Sequence, residues 1–242
     1  LIPEAEDGIS REDFLRYIEN RLLVLWRAQL TDKQAEDALR AVDWFYTPWP
    51  HLDDMDANVD AFNRMITDAA FGMPMDRQAK WHQDYADTYV YIQGYRSPNA
   101  SDLYPEWMGS PHNCESQYVW GYPRLLHNPA VREDSEIVWD IIGWVDPVDI
   151  DFTYYFQEMW SNFARVGNPT PEPVVAPEGN EPTIWPKFDT EDYTYLETDW
   201  DIEVKQEYRQ RELAYWYEYM SYLVDKPIRS GGPIFDRMFF LT

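Results

Sequence analysis

A single cysteine, Cys114, serves all 242 residues. No disulfide can form within the chain, and that fact alone points to a reducing compartment. Basic residues are few: 20 Lys and Arg stand against 44 Asp and Glu, a formal net charge of −24. That balance excludes nucleic acid as a partner, because phosphates need positive charge, and it opposes an anionic membrane surface. No apolar run approaches about 20 residues, so no membrane-spanning helix is expected. Residues 1–8, LIPEAEDG, have neither the basic start nor the apolar stretch of a secretory leader, and there is no initiating Met. The chain therefore reads as a processed product or a fragment. Also missing are G-x-S-x-G, G-x-G-x-x-G, a Walker loop and H-E-x-x-H. His51, His82, His112 and His127 are scattered, and none has metal-ligand spacing to a second His or Cys. No metal and no cofactor is expected.

What the chain does have is apolar and aromatic. Hydrophobic residues make up 45% and aromatics 17%, with 12 Trp and 18 Tyr, so the chain is globular. The rings serve a large core with amphipathic members at its margin, or they line a pocket or an interface. The acidic surface confers solubility, or it attracts cationic ligands.

Helices punctuate the first third. Ser10 and Asp13 form a capping pattern, followed by Phe14, Ile18, Leu22 and Leu25 at helical spacing. Thr31 and Gln34 form a second, before Ala35, Leu39, Val42 and Phe45 with Tyr46; Thr47-Pro-Trp-Pro50 stops that helix. The stretch His51–Asp60 reads as a loop entering a third helix, with Val59, Phe62, Met65, Ile66 and Ala69 on one face, which Pro74 should break before a short helix at about 76–86. Residues 88–95, TYVYIQGY, make the best strand. A helix is expected over Ile150–Arg165, closed by Gly167, then a Pro-rich loop, a short strand near 193–197 and a long helix at about 203–223. Two strands cannot cover six helices, so the chain reads as the later part of an α/β domain whose central sheet lies upstream.

His112 is the chemical candidate. It sits in a loop behind a strand and ahead of a helical stretch, where an α/β hydrolase places the last member of its triad. Loop histidines are also common without any such role. Cys114 is read as an inert, buried thiol rather than a nucleophile.

Five stretches carry a family resemblance: ISREDF at 9–14, PEWMGSPHNCESQYVWGYP at 105–123, EMWSNFARVGNP at 158–169, WPKFDTEDYTYLE at 185–197, and Tyr215-Trp216 in the late helix. In this order, over nearly the whole chain, they resemble the C-terminal portion of the cholinesterase-like branch of the α/β hydrolases, the type-B carboxylesterases and their non-enzymatic relatives. The resemblance implies that His112 matches the catalytic histidine, that Glu115 supports a buried polar network beside it, and that Trp107 and Met108 match loop residues near the gorge wall. It also implies an N-terminal partner chain carrying the nucleophilic Ser, the triad Glu and the oxyanion hole. Asn113 stands where the family usually has a small residue, and Asn tolerates the left-handed conformation. Met73 and Leu213 stand where many relatives have a late disulfide, so packing replaces the crosslink here. With Asn99-Ala-Ser101, an N-glycosylation sequon, this points to a secreted glycoprotein despite the single Cys.

Two functions follow from the resemblance: one chain of a two-chain serine carboxylesterase, or a non-catalytic member with an adhesion, carrier or structural role. The resemblance also implies a homodimer through helices near 58–70 and 203–223. The closing IFDRMFFLT should pack on the partner chain or a neighbouring subunit.

Overall fold

In the computed structural model, residues 7–26, 30–100, 104–127 and 145–225 are described. In chain order the elements are α1 (Arg11–Trp26), α2 (Asp32–Tyr46), α3 (Met55–Thr67), a π-helical turn (Asp68–Gly72), α4 (Met73–His82), β1 (Tyr91–Gln93), α5 (Ser116–Trp120), α6 (Tyr122–His127), α7 (Pro147–Val166), β2 (Thr194–Thr198), β3 (Ile202–Gln206) and a late helix. The late helix comprises α8 (Gln210–Ala214), a π-helical segment (Tyr215–Met220) and α9 (Ser221–Asp225). The chain divides into two compact units, Leu1–Arg77 with Arg209–Thr242, and Gln78–Tyr208.

In the first unit both expected caps form. Ser10 Oγ accepts from the Asp13 N–H at 3.1 Å, and Thr31 and Gln34 satisfy each other's backbone at the start of α2. Phe14 and Ile18 of α1 are buried; the side chains of Leu22 and Leu25 lie outside the described residues. On α2 the buried stripe is Ala38, Val42 and Tyr46, with Ala35, Leu39 and Phe45 at its margin. The third helix starts earlier than expected, at Met55, because Asp54 Oδ1 caps the Ala57 N–H at 3.0 Å.

Pro74 does not break the helical path. The Met73 N–H donates to the Asp68 carbonyl five residues back, and this wider turn gives the proline ring room that an α-helical ladder would deny it. The helix then ends at His82 rather than near 86. Asp68 is fully buried. Its carboxylate accepts two hydrogen bonds from Arg209, at 2.6 and 2.7 Å, and one from the Tyr46 hydroxyl at 2.8 Å. The Trp216 indole N–H donates to that hydroxyl at 2.7 Å. Met73 and Leu213 are each 1% exposed, as expected of apolar residues in place of a crosslink.

The second unit holds a three-stranded sheet of order β1-β2-β3. β1 runs parallel to β2, with Tyr91 opposite Leu196, and β2 runs antiparallel to β3, with Leu196 opposite Val204. β3 corrects the expectation of a helix from 203. Residues 203–206 pair with β2, Val204 is 51% exposed, and helical structure begins only at Gln210. α7 covers the core of this unit. Asp146 and Asp149 form a capping box, Pro147 occupies the first turn, and Gly167 ends the helix at φ 72. Phe152, Tyr155, Phe156 and Met159 are buried, whereas Phe163 is 49% exposed. Tyr95 stacks on Phe152 with centroids 3.6 Å apart. Each buried ring of this kind contributes about 1.5–3 kcal/mol.

Residues 234–242, the apolar end of the sequence, lie outside the described residues.

Candidate active site

The stretch around His112 is built from the end of β1. The N–H groups of Gly94 and Tyr95 both donate to the Thr198 carbonyl, at 3.0 and 2.8 Å, so the chain leaves the sheet in a fixed direction. Arg96 comes next. Its guanidinium donates to the carbonyls of Gly109 at 2.8 Å, Tyr104 at 2.7 Å and Pro105 at 3.4 Å, and it lies over the Tyr104 ring at 4.6 Å. These bonds bridge the strand end to the segment that leads into His112.

A single 3-10 turn, Glu106–Met108, carries Trp107 and Met108, both half-buried. Trp107 Nε1 is buried without a hydrogen-bond partner among the described residues. Ser110 then ties the chain down twice: its hydroxyl donates to the Tyr95 carbonyl at 3.1 Å and lies 2.9 Å from Cys114 Sγ. His112 occupies an exposed turn closed by the Cys114 N–H on the Pro111 carbonyl at 3.1 Å. Asn113 follows at φ 73, the left-handed conformation its side chain tolerates. Its Oδ1 accepts from Ser116 Oγ at 2.6 Å, which helps to hold that geometry.

Glu115 is half-buried at the start of α5. Burial, reinforced by the Glu115 charge, pushes the Tyr91 phenol up to about 12. Burial also raises the Cys114 thiol above its ordinary value, with the Ser110 bond opposing, so Cys114 is a poor nucleophile in this setting.

Beneath the loop lies a carboxylate that the sequence did not single out. Asp149 accepts from Tyr95 at 2.8 Å, Tyr118 at 3.3 Å, Ser97 at 2.8 Å and the Asp146 N–H at 2.8 Å. Burial nevertheless holds its pKa above the ordinary carboxylate value, with those four donors opposing. The signal was present as the Asp-Pro-Val-Asp run, a capping box with Asp at its fourth place, but a helix started at Ile150 passes over it.

The sequence-singled residues Trp107, Met108, His112 and Glu115 therefore share one short stretch. Asn99 lies apart from them, half-buried, with its N–H on Ser97 Oγ at 3.4 Å; Ser101 of its sequon lies outside the described residues. His82 bonds Thr88 through Nδ1 at 2.8 Å, at the rim of a cavity of about 300 Å3 lined by Tyr89, Tyr91, Trp160 and Trp185, and not by His112. No group of three or more metal-binding side chains occurs among the described residues. No helix among them is long and apolar enough to cross a membrane.

The model of the carboxylesterase family matches residues 4–216. The chain belongs to the carboxylesterase family. Its relatives include neuroligin-2 of Homo sapiens, 25% identical over 232 residues, covering 91% of this chain and 26% of that protein. Carboxylesterase 1E of Rattus norvegicus is 28% identical over 182 residues, covering 75% and 28%. Acetylcholinesterase of Gallus gallus is 30% identical over 167 residues, covering 69% and 18%. The chain thus spans about a quarter of the length of the curated relatives it matches. Membership implies an α/β-hydrolase fold, and the three-stranded sheet with its surrounding helices is consistent with part of one.

Proposed function

We propose that this chain is the C-terminal portion of a secreted, cholinesterase-like carboxylic-ester hydrolase and supplies its catalytic histidine, His112. An upstream chain of the same protein completes the central sheet and brings the nucleophilic Ser, the triad acid and the oxyanion donors. The observation that carries the reading is the placement of His112 on an exposed turn tied to the strand end through Ser110 and followed by the left-handed Asn113. A triad needs its imidazole presented in this way, accessible yet set by its neighbours.

In that role His112 takes the Ser proton as the oxygen attacks the ester carbonyl carbon. It then returns the proton to the departing alcohol, leaving an acyl-enzyme. A water molecule attacks next, its proton passes through His112 to the Ser oxygen, and the acid is released. The triad acid holds the ring's tautomer. The indole N–H of Trp107, buried without a partner among the described residues, supports a site that is finished by chain from elsewhere, since a buried donor costs about 1–3 kcal/mol when left unmade.

A second reading has its own support. Neuroligin-2 matches 91% of this chain, and a non-catalytic member of the family with an adhesion or carrier role is the second reading of the same scaffold. The test is fluorophosphonate labelling and ester turnover by the whole protein, with and without His112→Gln. The enzyme reading expects label on the upstream chain and a loss of about 10^4-fold or more in kcat on substitution. Folded protein that takes no label and turns over no ester supports the second reading instead.

The same reading includes a homodimer through α3 and the late helix. Tyr219 and Tyr222 of the late helix are 50% and 60% exposed, and Met55 at the start of α3 is 42% exposed, which leaves apolar surface for a partner.

A further inference from the structure

We propose that Arg96 is a positioning residue for His112, an inference that rests on the esterase reading above. Arg96 leaves a strand end whose neighbours Gly94 and Tyr95 are both bonded to Thr198. Its fork donates to two peptide groups from different nitrogens, Nη1 to the Gly109 carbonyl at 2.8 Å and Nη2 to the Tyr104 carbonyl at 2.7 Å, a rigid bridge that a flexible point charge does not reproduce. The Tyr104 ring supports the guanidinium plane from one side. The Arg96 bonds thus fix the chain up to Gly109. Ser110 fixes the next residue through Tyr95, the residue before Arg96. The turn that carries His112 begins directly after these two anchors, so any slack at Gly109 passes to the imidazole within three residues.

The consequence is catalytic rather than architectural. The accepting carbonyls all belong to 104–109, while the core under β1 is made by other residues, Tyr95 and Phe152 among them. Losing the fork frees the loop and leaves the core in place. A base displaced by about 1 Å costs on the order of 10^2-fold in rate.

The experiment compares the whole protein with Arg96→Lys and Arg96→Met. It uses p-nitrophenyl acetate turnover, hydrogen exchange of the backbone at 109–115, and thermal midpoints. The Lys variant keeps the charge and removes the fork. The expected result is a kcat lowered about 10–100-fold with KM nearly unchanged, and exchange faster by about tenfold at 109–115 but not in β1 or β2. Unchanged exchange at 109–115 overturns the proposal, as does a kcat loss that only follows the fraction unfolded. If the unsubstituted protein turns over no ester, the esterase reading fails separately. The exchange comparison then decides whether Arg96 orders the His112 turn.

Discussion

Asp149 shows how a single side chain reports its surroundings. Two oxygens take four donors, yet burial still raises its pKa. The folded state therefore favours the neutral form relative to the unfolded chain. The stability this contributes is fully present below the ordinary Asp value of about 3.9 and is lost as pH rises through the higher, folded value. Asp149→Asn should cost about 2 kcal/mol near pH 4, where hydroxyl donors lose an acceptor, and less near pH 7. Urea midpoints of both proteins at the two pH values check this, and a gap that widens with pH would contradict it. The residues carrying this network were not legible. Only the Asp146 N–H follows a spacing, that of the capping box; the Arg96 fork and the three hydroxyl donors to Asp149 follow none, because their partners are brought in by the fold. The place of His112 in a loop behind a strand was legible because the surrounding pattern is local, and the tolerance of Asn113 for φ 73 follows from its side chain alone.

Elements were legible where their signals are short-range. The boxes at Ser10 and Thr31 and the glycine closing α7 could be read directly, since each involves residues within a few positions. β3 could not. Its residues are strand because β2 lies beside them, and that pairing overrides the helical pattern carried on from 210. The expected break at Pro74 failed for a related reason: a π-helical turn is an option that helix periodicity does not display. Two glycines separate backbone preference from crowding. Gly167 sits at φ 72 with nothing within 4 Å of an added Cβ, so Gly167→Ala should cost only about 1 kcal/mol. Gly8 sits at φ 78, and its added Cβ would fall 2.5 Å from Met55 Cβ and 3.0 Å from the Met55 carbonyl carbon. Gly8→Ala should therefore cost clearly more, and denaturant titration of the two variants gives the order. Equal losses would mean that the Met55 backbone yields without strain.

For the whole molecule, the deciding quantities are charge and exposed apolar surface. At −24 the chain repels its own copies, so a dimer must form through an apolar face large enough to outweigh that repulsion. Sedimentation of the native protein is expected to show a dimer that Tyr219→Glu with Tyr222→Glu converts to a monomer. A monomer before substitution would remove the homodimer. At this scale the family was legible from five short stretches, and the family match over residues 4–216 bears that out.

The parallel pairing of β1 with β2 also sets a timetable. Gln93 and Thr198 are partners, 105 residues apart. A ribosome adding about 5–20 residues each second needs roughly 5–20 s to travel that distance. For that interval the newly made His112 loop has no Thr198 carbonyl to receive Gly94 and Tyr95, and the β1 edge that β2 covers is open. The segment on which the proposed chemistry depends thus waits on residues made well after it, and chaperone contact during that interval would protect it.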